Sequence, residues 1–263
     1  MIEWFIYPVV GVIAGISSGL LGLGGGIVVV PSLLTIFILN GVPSSVAMHM
    51  AVATSLATII VTSSASSYSH YRLNTISWVW FWFLVPGLIL GGVFGAYLTT
   101  AVSSTLLQLC FSIYACFAAF KLWFSMKLKV NSAWHGRVQT LFVGGGIGII
   151  SSLLGIGGGT LIVPYLMAAQ QPMSKAIGTS AACCVPIAVS AVLSLNMMDV
   201  EVHDSGVEAA GLIQWDAFVG IIMTSMLFSM IGASWSKKVP VKLLKRIFSI
   251  VLVLTATVLI TKT

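Results

Sequence analysis

The chain has 263 residues, of which 58% are apolar and only 7% charged, against roughly 25% charged in an ordinary soluble domain. So little charge excludes a water-soluble globule and points to an all-α integral membrane protein. The net charge of +6 sits in short loops beside apolar runs, where it sets membrane orientation and carries no indication of nucleic acid.

In chain order, the opening MIEWFIYPVV has neither a basic leader nor a small-residue cleavage site, so it is expected to stay as the start of the first membrane segment. Apolar segments follow at 5–21, 27–39, 45–69, 77–98 and 105–126. After a basic linker at 127–137, a second set runs at 138–153, 160–170, 174–195, 215–236 and 241–261. Runs of this length suit a bilayer core about 30 Å thick, and the stretches between them are too short for a soluble domain. The expectation is one membrane domain over 1–263, with repeat 1 at 1–126 and repeat 2 at 138–263.

The repeat is explicit. GISSGLLGLGGGIVVVP at 15–31 aligns without a gap to GIISSLLGIGGGTLIVP at 148–164. AVATSL at 51–56 then matches AIGTSA at 176–181, and TLLQLCFSI at 105–113 matches KLLKRIFSI at 242–250. Residues 5–39 as one straight helix would extend about 50 Å, far beyond the hydrocarbon, so the glycine cluster must fold the chain back. If each glycine-broken pair is a hairpin that exits on the side it entered, the halves are inverted. Arg72, Lys121, Lys127, Lys129, Arg137, Lys175 and the basic loop 237–246 then all face the cytoplasm, with Lys262 the exception.

An anion site follows from these breaks. Glycine is a poor helix former, and Gly24, Gly25 and Gly26, with Gly157, Gly158 and Gly159, suit an interruption. Helices resuming at Ile27 and Thr160 would aim their electropositive N-terminal ends into the membrane. Close helix packing is the competing role for such glycines. The matched pairs Thr54 and Ser55, and Thr179 and Ser180, add hydroxyl donors, against which stands bonding to their own backbone. Ser18 and Ser151 precede the breaks and are weaker candidates. No Asp, Glu, Lys or Arg lies in the middle of a span, so dipoles and hydroxyls must hold any anion.

The remaining motifs favour structural roles. His49 is expected at a membrane face, and His70, His135 and His203 in loops. Cys110 and Cys116 share one span and Cys183 and Cys184 another, with no metal-type spacing, so they are expected to pack and no metal or cofactor is expected. Trp4, Trp78, Trp80, Trp82 and Trp215 sit near span ends as interfacial anchors in contact with lipid. No Walker A pattern, dinucleotide fingerprint or G-x-S-x-G turn occurs, so ATP use and enzymatic activity are not expected. An intramembrane hydrolase and a non-transporting scaffold are the alternatives to a transporter.

The duplicated GLLGLGGGIVVVP and LLGIGGGTLIVP, followed by the ATS and GTS triplets, resemble the sulfite exporter TauE/SafE family of membrane permeases over nearly the full chain. The resemblance implies export of sulfite, sulfoacetate or a related sulfur-containing anion across the cytoplasmic membrane; the residues alone imply an anion. Thr160 stands where the first half has Ile27, so the two tips are unequal.

Overall fold

The computed structural model describes residues 3–123, 136–197 and 211–236. The last apolar segment at 241–261, its match to 105–113, and Lys127 and Lys129 of the linker therefore lie outside the described residues.

The described residues form nine helices and no strand: α1 (Glu3–Leu21), α2 (Gly26–Leu39), α3 (Ser44–Arg72), α4 (Trp78–Ala101), α5 (Ser104–Trp123), α6 (Arg137–Leu154), α7 (Gly159–Ala168), α8 (Met173–Met197) and α9 (Trp215–Trp235). Helix is the form in which a segment satisfies its own backbone in hydrocarbon. Four of them, α3, α4, α8 and α9, are long and apolar enough to cross a bilayer. By contrast α2 has 14 residues and α7 has 10, about 21 Å and 15 Å of helix, too short to cross alone.

The spanning helices divide into two kinds. The most apolar windows of α3 and α8 are 78% and 72% buried, those of α4 and α9 only 44% and 39%, so α3 and α8 form the centre and the other two flank them. Consistent with a lipid-facing flank, Trp82, Leu90 and Phe94 of α4 are exposed, as are Met223 and Leu227 of α9. Trp78 and Trp215 are exposed at the starts of these helices, and each stacks edge to face on the phenylalanine one turn on, Phe81 and Phe218 respectively.

Equivalent helices exchange partners between the halves. α1 packs along α9, and its equivalent α6 packs along α4. Small residues make this possible. A Cβ at Gly11, Gly15 or Gly19 would run into the carbonyls of Ile221, Ser225 or Ser229, and one at Gly87, Gly91 or Gly95 into those of Leu141, Gly145 or Ile149. In both seams the contacts advance together along the two chains, so the paired helices are parallel.

Two histidines are buried against neighbouring segments, and one of them is helical where a loop is expected. His70 belongs to the last turn of α3, not to a loop, and is fully buried, its Nε2 2.9 Å from the Gly19 carbonyl and its Nδ1 2.9 Å from the Thr75 hydroxyl. His49 is also fully buried, its Nε2 2.9 Å from the Val102 carbonyl. Both tie α3 to neighbouring segments.

Candidate functional site

The two glycine breaks meet at the centre of the molecule. After α1 ends at Leu21, Gly22, Gly24 and Gly25 adopt φ of 66°, 79° and 86° before α2 begins; after α6 ends at Leu154, Gly155, Gly157 and Gly158 adopt 68°, 68° and 83° before α7 begins. Positive φ is the region in which a Cβ is penalised, so these positions demand glycine for conformation as well as space. Gly26 and Gly159 are different. Both are helical, and a Cβ on Gly26 would strike the Gly155 carbonyl while one on Gly159 would strike that of Gly22. A Cβ built on Gly24 would lie 3.5 Å from the Gly157 α-carbon, so the two breaks touch.

Their helix ends present N–H groups that lack backbone acceptors, of which that of Gly159 is directed at Cys184 Sγ. Val28 and Val29 donate to the Gly25 carbonyl, and Leu161 and Ile162 to that of Gly158. Among the described residues, the N–H groups of Gly26, Ile27, Gly159 and Thr160 find no backbone acceptor. Unpaired N–H groups and aligned peptide dipoles make each end electropositive.

Of the hydroxyls predicted for the site, Ser55 and Ser180 reach the breaks, whereas Thr54 and Thr179 turn to the flanking helices. Ser55 donates to the Gly155 carbonyl and Ser180 to the Gly22 carbonyl, each at 2.8 Å and each across to the other half. Their protons are therefore committed to the loop backbone. Thr54 accepts from the Gln214 N–H at 3.0 Å and Thr179 from the Ser77 N–H at 2.8 Å. These N–H groups belong to the residues that cap α9 and α4, so each threonine positions the start of a flanking helix. Thr160 bonds to the Tyr114 hydroxyl of α5. Tyr114 was not singled out from the sequence, and nothing in its local pattern marks it.

Two further groups complete the centre. Ile59 of α3 and Cys184 of α8 occupy equivalent places in the ATS and GTS repeats, and both close over the breaks. Their Cγ2 and Sγ lie 3.5 and 3.4 Å from a Cβ built on Gly24. Cys183 is also buried but packs with Ile162, Leu166 and Ile187 in a separate apolar cluster. On the flank, a crevice of about 280 Å³ opens between α3, α4 and α8, lined by Ser64, Ser67, Trp78, Phe81 and Pro186. By the repeat, Val189 and Val192 stand where Ser64 and Ser67 stand, so only one of the two equivalent flanks carries hydroxyls.

The family profile "Sulfite exporter TauE/SafE" matches residues 7–259. The chain belongs to that family. Among curated relatives, a probable membrane transporter protein of Haemophilus influenzae is 34% identical over 255 residues, covering 94% of both chains. The probable membrane transporter protein YunE of Bacillus subtilis is 26% identical over 272 residues, covering 96% of this chain and 95% of its own. A probable membrane transporter protein of Methanocaldococcus jannaschii is 31% identical over 174 residues, covering 65% of this chain and 64% of its own. No solved structure matches significantly. Family and relatives indicate a multi-pass membrane transporter.

Proposed function

We propose that this protein exports a small sulfur oxyanion or organosulfonate across the cytoplasmic membrane, holding it where the α2 and α7 N-termini converge. One observation carries the reading: two electropositive half-helix ends, each behind positive-φ glycines, meet at the protein centre. Broken helices of this kind hold substrates in many secondary transporters. The binding groups are Gly24, Gly25 and Gly26 with Gly157, Gly158, Gly159 and Thr160. Thr54, Ser55, Thr179 and Ser180 surround them. With dipoles and hydroxyls but no fixed cation, such a site favours a compact anion whose charge is spread over several oxygens.

The halves are inverted about this centre. Support comes from α3 and α8, which are repeat-equivalent and antiparallel: Gly178, near the start of α8, lies against Thr75 beyond the end of α3, while Cys184 and Ala188 cluster with Ile59. In this arrangement Asn40 and Ser103 face outward and Asn74 and Gln170 face the cytoplasm, with the serine-lined crevice on the cytoplasmic flank. Single cysteines at these four positions, in a background without native cysteines, are labelled with an impermeant thiol reagent. Labelling of Gln170 from outside rules out the inverted hairpins.

Function is tested with purified protein in sealed vesicles and a panel of sulfite, sulfoacetate, sulfate and taurine. Saturable flux of sulfite or sulfoacetate is expected. Flux of a cation or neutral sugar with none of any anion overturns the proposal, and no flux of any solute favours a scaffold.

A further inference from the structure

Among the buried hydroxyls of the centre, those predicted first are the ones already engaged, Ser55 and Ser180 donating to backbone carbonyls. The open ones are Ser18, Ser63, Ser104 and Ser151, of which Ser63 faces Cys184. Ser18 and Ser151, at equivalent places one turn before the breaks, are both 0% exposed, and among the described residues neither side-chain oxygen has a hydrogen-bond partner. A helical serine has an easy remedy for this, a bond back to a carbonyl three or four residues earlier. Ser17, Ser32 and Ser112 all take it. Buried polar atoms are nearly always satisfied, and here the same hydroxyl is left open in both halves.

In the second half the direction of the open hydroxyl is fixed by its neighbour. A Cβ at Gly158 would lie 2.9 Å from Ser151 Oγ, and Gly158 is the N-cap of α7. The hydroxyl thus lies at the N-cap of α7, beside the Cδ1 atoms of Ile187 and Ile162, next to the turn in which the Thr160 N–H lacks a backbone acceptor and the Gly159 N–H is directed at Cys184 Sγ. The missing side chain at Gly158 is what lets it approach.

We propose that Ser151 Oγ is the side-chain donor that binds the transported oxyanion, acting with the Thr160 N–H group at the start of α7. This rests on the transport reading above and gives its site a specific donor, one hydroxyl and one amide converging on neighbouring oxygens of one anion. Ser55 and Ser180 then shape the loops and do not touch the anion.

The test is binding of radiolabelled sulfite to purified protein in nanodiscs, for the wild type, Ser151→Ala and Ser151→Thr, with a thermal melt of each. Loss of a hydrogen bond to a charged ligand is expected to weaken sulfite binding about tenfold to a hundredfold in Ser151→Ala. Ser151→Thr, which keeps the hydroxyl, is expected to regain most of it. The apo melting temperature of Ser151→Ala should equal or exceed that of the wild type, because no existing bond is removed. Wild-type affinity in Ser151→Ala, or a weakening that Ser151→Thr does not relieve, overturns the assignment. If the wild type itself binds neither sulfite nor sulfoacetate, the transport reading fails instead.

Discussion

Glycine is used in two ways in this molecule, and the seams differ from the breaks in what they ask of it. Along α1 and α9, and along α4 and α6, Gly15 and Gly91 sit inside regular helices, and what forbids a side chain is the neighbouring helix backbone. At the breaks, Gly25 and Gly158 have φ of 86° and 83°, and what forbids a side chain is the residue's own backbone conformation. Spacing alone does not separate the two uses. Gly26 and Gly159 belong with the seams by conformation and with the breaks by position, which is why a packing role and a binding role compete for the same sequence motif.

That difference can be broken experimentally, most forcefully at the seams. Gly15→Leu or Gly91→Leu drives a large side chain into backbone that cannot yield, at a cost of about 3 kcal/mol or more. No folded monodisperse protein is expected by size-exclusion chromatography. A stable, transporting Gly91→Leu protein would mean that the seam glycines are incidental.

At the breaks the expected loss is of function. Gly25→Leu and Gly158→Leu should each abolish flux, because the side chain occupies the space at the helix end, while insertion into the membrane persists. Near-normal flux in either returns these glycines to a packing role.

The cross-ties should produce a smaller and equal effect. Ser55→Ala and Ser180→Ala each remove one buried hydrogen bond to a carbonyl of the other half, worth about 1 kcal/mol. Both melting temperatures are expected to fall by a similar few degrees. A marked inequality would show that the two breaks are held differently.

The smallest effect is expected at the cysteines. Cys183→Ala combined with Cys184→Ala removes two buried sulfurs, each comparable to a methylene at about 0.8 kcal/mol, and flux should survive. Loss of flux in a folded double variant would give Cys184, beside Gly24 and Gly157, a part in transport.

Much of this architecture was legible in the residues themselves. Hydropathy located every described helix to within a few residues, because a membrane segment must be apolar throughout its length. The repeated glycine clusters marked the breaks. Side-chain partnerships were not legible. Whether Ser55 or Ser151 holds a free hydroxyl depends on which carbonyl of the other half lies within reach, a distance of 100 positions along the chain for Ser55. The exchange of α1 for α6 against α9 and α4 was hidden for a related reason: GxxxG spacing identifies a close-packing face and leaves its partner open. His70 looked like a loop residue because Arg72 and Asn74 follow it, yet α3 continues to Arg72 and folds the ring inward.

The seam between α1 and α9 also has a consequence for how the protein is made. A chain enters the membrane from its N-terminus during synthesis, and α1, the first helix to arrive, has its principal partner in α9. Until Trp215–Trp235 emerges from the ribosome, the glycine face of α1 has only lipid or the insertion machinery beside it. Its counterpart α6 meets α4 already in place. Assembly is therefore lopsided in time, and nascent chains arrested before α9 should be the species that quality-control proteases remove fastest.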